Sequence, residues 1–465
     1  MTLPEDGRPA ADLLDRLAAL RGADLPVRGG KVTAYVYDTG RDAVHDLAAA
    51  AYAEMLEVNC LDPTAFPSIV ALEREVVGAV ADRLGGGTGV FTSGGTESIM
   101  LAVKAARDAR PVAGRPQIVL PVTAHPAFHK AAHYLGMEAV AVPVDDGFRA
   151  DPAAVAAAIT PRTVLAVASA PSYPQGVMDP VPEIAEIAAS AGVLCHVDAC
   201  VGGWVLPWLR DTGRPVPPFD LSVPGVTSLS CDLHKYGYAP KGASVVLFAD
   251  PALRRRAYFA SAEWPGYTVI NSGVQSSKSA GPLAAAWATL HAVGAAGYRD
   301  LAARAMDAAE RLAAGLPDGL RVLGAPVVPL VAVASTDPAL DVFVLADEAR
   351  ARGWFFQPQL SYRGIPANLH FTITGVSDTG ALLDALAASA EAARAAGPPP
   401  VPDGLAETVA GLDLDALTDA GFAELLASVG AEPSGGMAVV NTVLDALPPD
   451  TREALLIRYL SALYA

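Results

Sequence analysis

Apolar positions recur in two rhythms along this chain. Between Gly89 and Phe248, short continuous apolar runs alternate with stretches whose apolar residues return every three or four positions. The runs predict strands at 89–92, 117–122, 139–142, 164–169, 193–197, 226–229 and 244–248. The longer rhythm predicts helices at 97–109, 126–135, 152–159 and 182–191. Strands that are apolar throughout and separated by helices predict an α/β fold. Its mostly parallel, seven-stranded sheet is sandwiched by helices. Such sheets bind ligands beyond the carboxyl ends of their strands. Ser93, Ser169, Asp198, His234 and Lys235 all fall at predicted strand ends.

The flanks follow different patterns. Residues 1–30 are polar and interrupted by Gly and Pro, with a helical patch near Leu13–Leu20, and predict an arm. Helices are expected at 42–58 and 69–84, the second stopped by Gly85-Gly86-Gly87. Beyond the sheet come helices at 281–294 and 298–312, strands at 321–323 and 330–334, a helix at 342–352 and a strand at 369–373. This is the pattern of a smaller α+β C-terminal domain. Pro398-Pro399-Pro400 with Pro402 marks a linker, and 405–465 predicts a helical tail. In that tail Asp450 and Glu453 have the spacing of a capping pair. Leu455, Leu456, Tyr459, Leu460 and Leu463 form a stripe expected to pack on the core or on a second subunit. The expected division is 1–70 for the arm and first helix, 71–295 for the large domain, 296–397 for the small domain and 398–465 for linker and tail.

Composition narrows the function classes. A formal net charge of -17 opposes nucleic acid and anionic membrane surfaces as partners. The four cysteines show no metal-ligand spacing and predict a reduced protein. His129 and His133 lack the context of a metal motif, so no metal is expected. Without a secretory signal or a run long enough to span a bilayer, the expected location is cytoplasmic.

The chemistry concentrates in two strand ends. Asp198 closes one apolar strand in His196-Val197-Asp198-Ala199-Cys200-Val201-Gly202-Gly203. His234 and Lys235 follow another, in His234-Lys235-Tyr236-Gly237-Tyr238-Ala239-Pro240-Lys241-Gly242. A pyridoxal 5'-phosphate enzyme needs such a pair: a lysine to form a Schiff base with the aldehyde, and a carboxylate to keep the pyridine nitrogen protonated. Ser93-Gly94-Gly95-Thr96-Glu97 joins a strand to a helix, and its two glycines and Thr96 suit a phosphate at the helix start. No P-loop lysine follows, which argues against a nucleoside triphosphate. His125 either stacks on a planar ring or is solvated. Lys241 is either a ligand for an anionic substrate or a turn lysine.

These motifs resemble those of the group II pyridoxal-phosphate-dependent decarboxylase family, in its sphingosine-1-phosphate lyase branch. The resemblance runs from about Lys31 to about Ser377. It implies the aspartate aminotransferase type fold (fold type I) and a homodimer with shared active sites. It implies Lys235 as the Schiff-base lysine and Asp198 at the ring nitrogen, with His125 stacked on the ring and Ala199 beneath it. Gly95, Thr96 and His234 belong to the phosphate, and Gly94 and Ser169, the latter at a strand end, are further cofactor-binding residues. Tyr37, closing Lys31-Val32-Thr33-Ala34-Tyr35-Val36-Tyr37, is expected to reach the neighbouring subunit's site. Lys241 is expected to serve a substrate phosphate, with Tyr238 and Asn59 as further substrate residues. Two segments depart from the family pattern. Asp62 stands where the lyases have a histidine, and Lys278 lies in a segment where they have an arginine. A carboxylate near a dianion is unfavourable, so poor cleavage of sphingosine-1-phosphate is expected.

The chemistry expected is carbon–carbon bond cleavage on an amino acid or an amino alcohol, phosphorylated or not. The alternative is α-decarboxylation of a small amino acid, which uses the same cofactor residues. A catalytically silent scaffold of the same fold is opposed by the intact Lys235 and Asp198.

Overall fold

The computed structural model describes residues 3–399 and 436–464, together with 404, 408–409, 411–412, 418, 421–422 and 424. The N-terminal arm carries α1 (Ala10–Arg21), α2 (Asp42–Glu54) and α3 (Ser68–Arg83). The main layer then alternates β1 (Thr88–Thr92), α4 (Gly95–Ala109), β2 (Gln117–Pro121), α5 (Ala127–Tyr134), β3 (Glu138–Val142), α6 (Pro152–Ala158), β4 (Thr163–Ser169), α7 (Val181–Ser190), β5 (Leu194–Asp198), α8 (Gly202–Asp211), β6 (Ser228–Cys231) and β7 (Ser244–Phe248). The strands form one seven-stranded sheet in the order β1-β7-β6-β5-β4-β2-β3, in which β7 runs against its two neighbours and the other pairings are parallel.

Register explains where chemistry gathers. Ser169 at the end of β4 pairs with Asp198 at the end of β5, and Asp198 pairs with Ser230 on β6. Three polar side chains thus lie in one row at the carboxyl edge, and the turn holding His234 and Lys235 begins just beyond it. Below the edge the strands are largely apolar, and all of β4 is buried; each Val, Leu or Phe buried in this way contributes roughly 1.5–3 kcal/mol. One polar pair lies within the sheet, His196 on β5 beside Ser228 on β6, and it is satisfied by a 2.9 Å hydrogen bond.

After the sheet come α9 (Pro251–Ala257), the hairpin β8 (Phe259–Ser261) and β9 (Val269–Asn271), and α10 (Gly281–Ala314). The sequence rhythm breaks near Gly294, where two helices were expected. The structure agrees: α10 is two helical stretches joined across a kink at Gly294 (φ +63°, ψ 170°), a non-helical conformation open to a residue without Cβ. A second sheet follows: β10 (Leu320–Val322), β11 (Leu330–Ser335), β12 (Gln357–Gln359) and β13 (Asn368–Thr372), antiparallel in the order β10-β11-β13-β12. α11 (Val342–Ala351) and α12 (Thr379–Ala396) cover it through Leu345, Phe356, Phe371 and Leu386.

The arm docks on this smaller sheet. The Thr33 N–H donates to the Phe355 carbonyl (3.0 Å), and the Thr372 N–H donates to the Thr33 carbonyl (2.7 Å). Two further helices, Ala438–Ala446 and Pro449–Leu463, close the described chain. The Asp347 carboxylate caps the first by accepting from the N–H groups of Met437 and Ala438. Asp450 and Glu453 do not cap the second: it starts on Pro448-Pro449 with no side-chain cap bond. Of the tail stripe only Leu455 is buried, while Leu456, Tyr459, Leu460 and Leu463 are exposed. The helices expected over most of 405–435 lie outside the described residues.

Candidate active site

The carboxyl edge of the sheet opens on a cavity of about 330 Å³. It is lined by Ser93, Gly94, Gly95 and Thr96 on one side, His125 on another, and His234 and Lys235 at its base. Seven predicted residues are therefore brought to one space. Ser169, Asp198 and Ala199 do not line the cavity wall; they are buried at the ends of β4 and β5 behind Cys200, which does.

The phosphate-type loop is fixed by Glu97. Its carboxylate accepts from the Ser93 N–H (2.6 Å) and hydroxyl (2.7 Å), and its other oxygen accepts from the Val274 N–H (2.6 Å). These bonds hold the Glu97 carboxyl below its usual range, although burial alone would raise it. The loop is thereby pinned to the chain after β9, with the free N–H groups of α4 at the cavity. Gly95 is required by close approach. A Cβ there would lie 2.7 Å from Cys200 Sγ and 2.9 Å from both Asp232 carboxylate oxygens. Gly95→Ala is expected to weaken cofactor retention about tenfold or more, since such overlap costs about 1–3 kcal/mol. Equilibrium dialysis of the cofactor against the variant checks this.

Electrostatics at the base are dominated by one pair. Lys235 Nζ lies 3.0 Å from Asp232 Oδ2, both nearly buried. Burial alone would push the Lys235 ammonium down; the nearby Asp232 carboxylate, with Asp198 further off, opposes that, and the ammonium stands above the ordinary lysine value. Asp232 moves the other way: burial opposes its charge, and Lys235 and His234 overcome it. His125 is held low by burial, against the pull of Asp198. Its Nδ1 accepts from the Ala127 N–H (3.2 Å), so the neutral ring carries its proton on Nε2. His234 donates from Nδ1 to the Ala243 carbonyl (2.9 Å), so it donates to an anion from Nε2 only when protonated. Asp198 Oδ1 accepts from the Cys200 N–H (3.1 Å) and, at longer range, from the Ser230 hydroxyl (3.4 Å). Ser230 in turn meets buried His196, whose imidazole burial lowers to about 4.

The predicted substrate residues divide. Within the chain, Tyr37 lies beside the turn that holds Lys235. The arm's docking on β13 carries its ring to 5.0 Å from Tyr236, with Lys241 Nζ 5.2 Å from its centroid. Burial pushes its hydroxyl up to about 12. Lys241 is lowered to about 8, first by burial and then by Lys235. Tyr238 does not face the cavity. Held at φ +56°, it packs its ring near Tyr236 and Tyr298, and its buried hydroxyl has no partner. Asn59 and Asp62 also miss the cavity. Asn59 accepts from the Leu61 N–H, and exposed Asp62 accepts from the Thr64 N–H and hydroxyl and the Ala65 N–H. Those bonds hold the Asp62 carboxyl below its usual range. It folds its own turn, which removes it from any role at Lys235 within one chain.

The two segments that depart from the family pattern meet each other. Asn59 bridges Ser279, and the Cys60 N–H donates to the Lys278 carbonyl (2.9 Å). They rim a larger cavity of about 610 Å³ between α3, β1 and the β8–β9 hairpin. Sequence reasoning missed Asp232, although it lies three residues before Lys235. It also missed Tyr173 and His370, whose rings stack at 4.1 Å and feel the Lys235 charge. No spacing signal joins them, because Tyr173 lies in the turn after β4 and His370 on β13 of the second sheet.

Known proteins give this geometry its context. The family model for the pyridoxal-dependent decarboxylase conserved domain matches residues 31–321. The chain belongs to that family. A second family model, described as the C-terminal putative HTH domain of pyridoxal-dependent enzymes, matches residues 403–462. The chain is 38% identical over 381 residues to sphingosine-1-phosphate lyase 1 of Rattus norvegicus, covering 80% of this chain and 66% of the rat protein. It is 34% identical over 316 residues to a probable L-tyrosine/L-aspartate decarboxylase of Methanothermobacter thermautotrophicus, covering 67% of this chain and 85% of that one. Among solved structures, the Burkholderia pseudomallei sphingosine-1-phosphate lyase superposes with a TM-score of 0.79 at 34% identity, covering 85% of this chain and 94% of that one. The fold is thus fold type I, and the cofactor is pyridoxal 5'-phosphate.

The residues present fit that cofactor. Gly95 leaves a cradle that a Cβ would fill. Ser169 Oγ and Asp232 Oδ1 are buried without hydrogen-bond partners, so polar atoms stand ready around the cavity base.

Proposed function

We propose that this protein is a pyridoxal-phosphate-dependent carbon–carbon lyase acting on an amino acid or a phosphorylated amino alcohol. The observation that carries the reading is the convergence of Lys235, His125, His234 and the Gly94–Thr96 loop on one cavity, with Asp198 behind it. The likeness to sphingosine-1-phosphate lyases supports it. When bound, the cofactor ring withdraws electrons from the carbon bearing the substrate amine. Lys235 would hold the cofactor's aldehyde through its side-chain nitrogen, and Asp198 would keep a proton at the ring nitrogen. Ser169, Ala199 and His125 would contact the ring. The N–H groups of Gly94, Gly95 and Thr96 with protonated His234 would hold the phosphate. Lys241 draws in an anionic substrate group, and Tyr37 stands beside it as a hydrogen-bond donor.

The second reading is α-decarboxylation, favoured by the likeness to the archaeal decarboxylase. The test is a product screen of purified, cofactor-loaded protein, reading carbon dioxide and aldehyde separately. Aldehyde from a phosphorylated amino alcohol supports the lyase. Carbon dioxide from an amino acid with no aldehyde overturns it in favour of the decarboxylase. Since Asp62 caps its own turn, it gives no ground within one chain for excluding sphingosine-1-phosphate, which belongs in the screen.

The reading extends to a cytoplasmic homodimer with shared sites. Four free cysteines suit a reducing compartment. No described helix is long and apolar enough to cross a membrane. α1 buries none of its residues and exposes Leu13, Leu14, Leu17 and Leu20, and the β8–β9 hairpin exposes Phe259, Trp264 and Tyr267. Apolar surface on this scale calls for a partner. Sedimentation equilibrium at micromolar concentration should give a dimer, with an interface above roughly 2,000 Å²; a monomer overturns this part. Nucleic acid is not proposed for the 403–462 segment, which holds ten carboxylates against Arg452 and Arg458.

A further inference from the structure

We propose that Asp232 is a further catalytic residue of this site: it holds the proton on the Lys235 side-chain nitrogen. The proposal deepens the reading above and rests on Lys235 being the cofactor lysine. Asp232 sits on the turn after β6, three residues before Lys235, and is nearly buried. Its Oδ2 is 3.0 Å from Lys235 Nζ and 3.7 Å from His234 Nε2. Its Oδ1 is buried with no hydrogen-bond partner. Both oxygens pack against Gly95. The carboxylate is thus wedged between the phosphate-type loop and the reacting amine.

A buried carboxylate is costly unless paired, and breaking such a pair costs more than forming it gains. A structural ion pair normally joins two groups with no other task. Here the cation is the amine that bonds to the cofactor, and the pair lies in the wall of the reaction cavity. The other carboxylate near this amine, Asp198, is occupied by the Cys200 N–H and the Ser230 hydroxyl. Among the described residues, Asp232 makes the one ion pair with Lys235. The other titratable groups facing Nζ are His234 on its own turn, Cys231 at the end of β6, Asp198 at the end of β5 and Cys200 just after it, His125 before α5, Tyr37 on the arm, Tyr173 after β4, His370 on β13 and Lys241 beyond. Asp198 is the other carboxylate among them, and Asp232 is the one in ion-pair contact with Nζ. The same proximity favours the protonated nitrogen after it has bonded to the cofactor, because the charge there is again positive.

The experiment uses the holoenzyme. The visible band of the lysine-bound cofactor is titrated with pH in the wild type and in Asp232→Asn. The expected result is a fall in midpoint of about one pH unit or more, a tenfold loss of proton affinity, with Lys235 still labelled by borohydride. An unchanged midpoint with Lys235 labelled overturns the proposal and leaves the functional reading intact. Failure of borohydride to label Lys235 in the wild type overturns both. Should Asp232→Asn fail to fold, competitive acetic anhydride labelling of wild-type protein stripped of cofactor decides. Lys235 is expected to titrate above exposed Lys130; a midpoint below that of Lys130 overturns the proposal.

Discussion

Lys235→Ala is expected to abolish covalent attachment of the cofactor and to lower turnover by at least about a thousandfold. The competing lysines make the expectation specific. Lys104 donates to Asp108 and to the carbonyls of Arg256 and Tyr258. Lys31 lies by Trp354, and Lys130 by Tyr134. Lys278 lines the other cavity. Lys241 is the serious rival: lowered to about 8, it offers more free amine near neutral pH than Lys235 does. Position decides against it. Lys235 shares its cavity with the Gly94–Thr96 loop and His125, and Lys241 does not. Borohydride reduction of wild-type protein followed by peptide mass analysis should find the adduct on Lys235 alone. An adduct on Lys241 in the wild type, or one retained in Lys235→Ala, refutes the assignment.

The sheet was legible because its strands are buried on both faces. Each of the seven expected strands lies within two residues of the observed one. The reversed direction of β7 was not legible, since a buried strand reads the same in either direction. α12 and β12 went unseen, whereas the break within α10 was legible because a glycine interrupts the helical rhythm at Gly294. In the site, motifs singled out residues proposed to act through their chemical identity, such as Lys235, Asp198 and His125. Groups that act through position were lost. Asp232 is unremarkable in sequence until the turn brings it to Lys235. Asp62 drew attention as a departure from a family pattern, yet an aspartate two residues before a threonine is also a common way to fold a turn. Tyr238 was misassigned because its aromatic ring packs inward behind a left-handed backbone that no motif announces.

Asp198→Asn tests the other half of the cofactor pair. The substitution is nearly isosteric. The amide oxygen can keep accepting from the Cys200 N–H and the Ser230 hydroxyl, so the end of β5 retains its local bonds. The amide nitrogen changes the chemistry: it donates, so it cannot accept the proton of a pyridinium. A carboxylate near a positive nitrogen favours the charged form, and a neutral amide does not. The ring nitrogen then loses its proton, and with it the capacity to take up electrons as the substrate bond breaks. Turnover is expected to fall by about 10²–10⁴, the range set by removing a proton-holding group from a transition state, where each 1.4 kcal/mol is tenfold. Cofactor binding should persist, because Lys235, His234 and the Gly94–Thr96 loop are untouched. The two readouts separate the role from general damage. Borohydride should label Lys235 in the variant as fully as in the wild type while product formation collapses. Loss of both together would mark Asp198 as a structural residue of the β5 edge. Near-normal turnover would remove it from the ring nitrogen altogether.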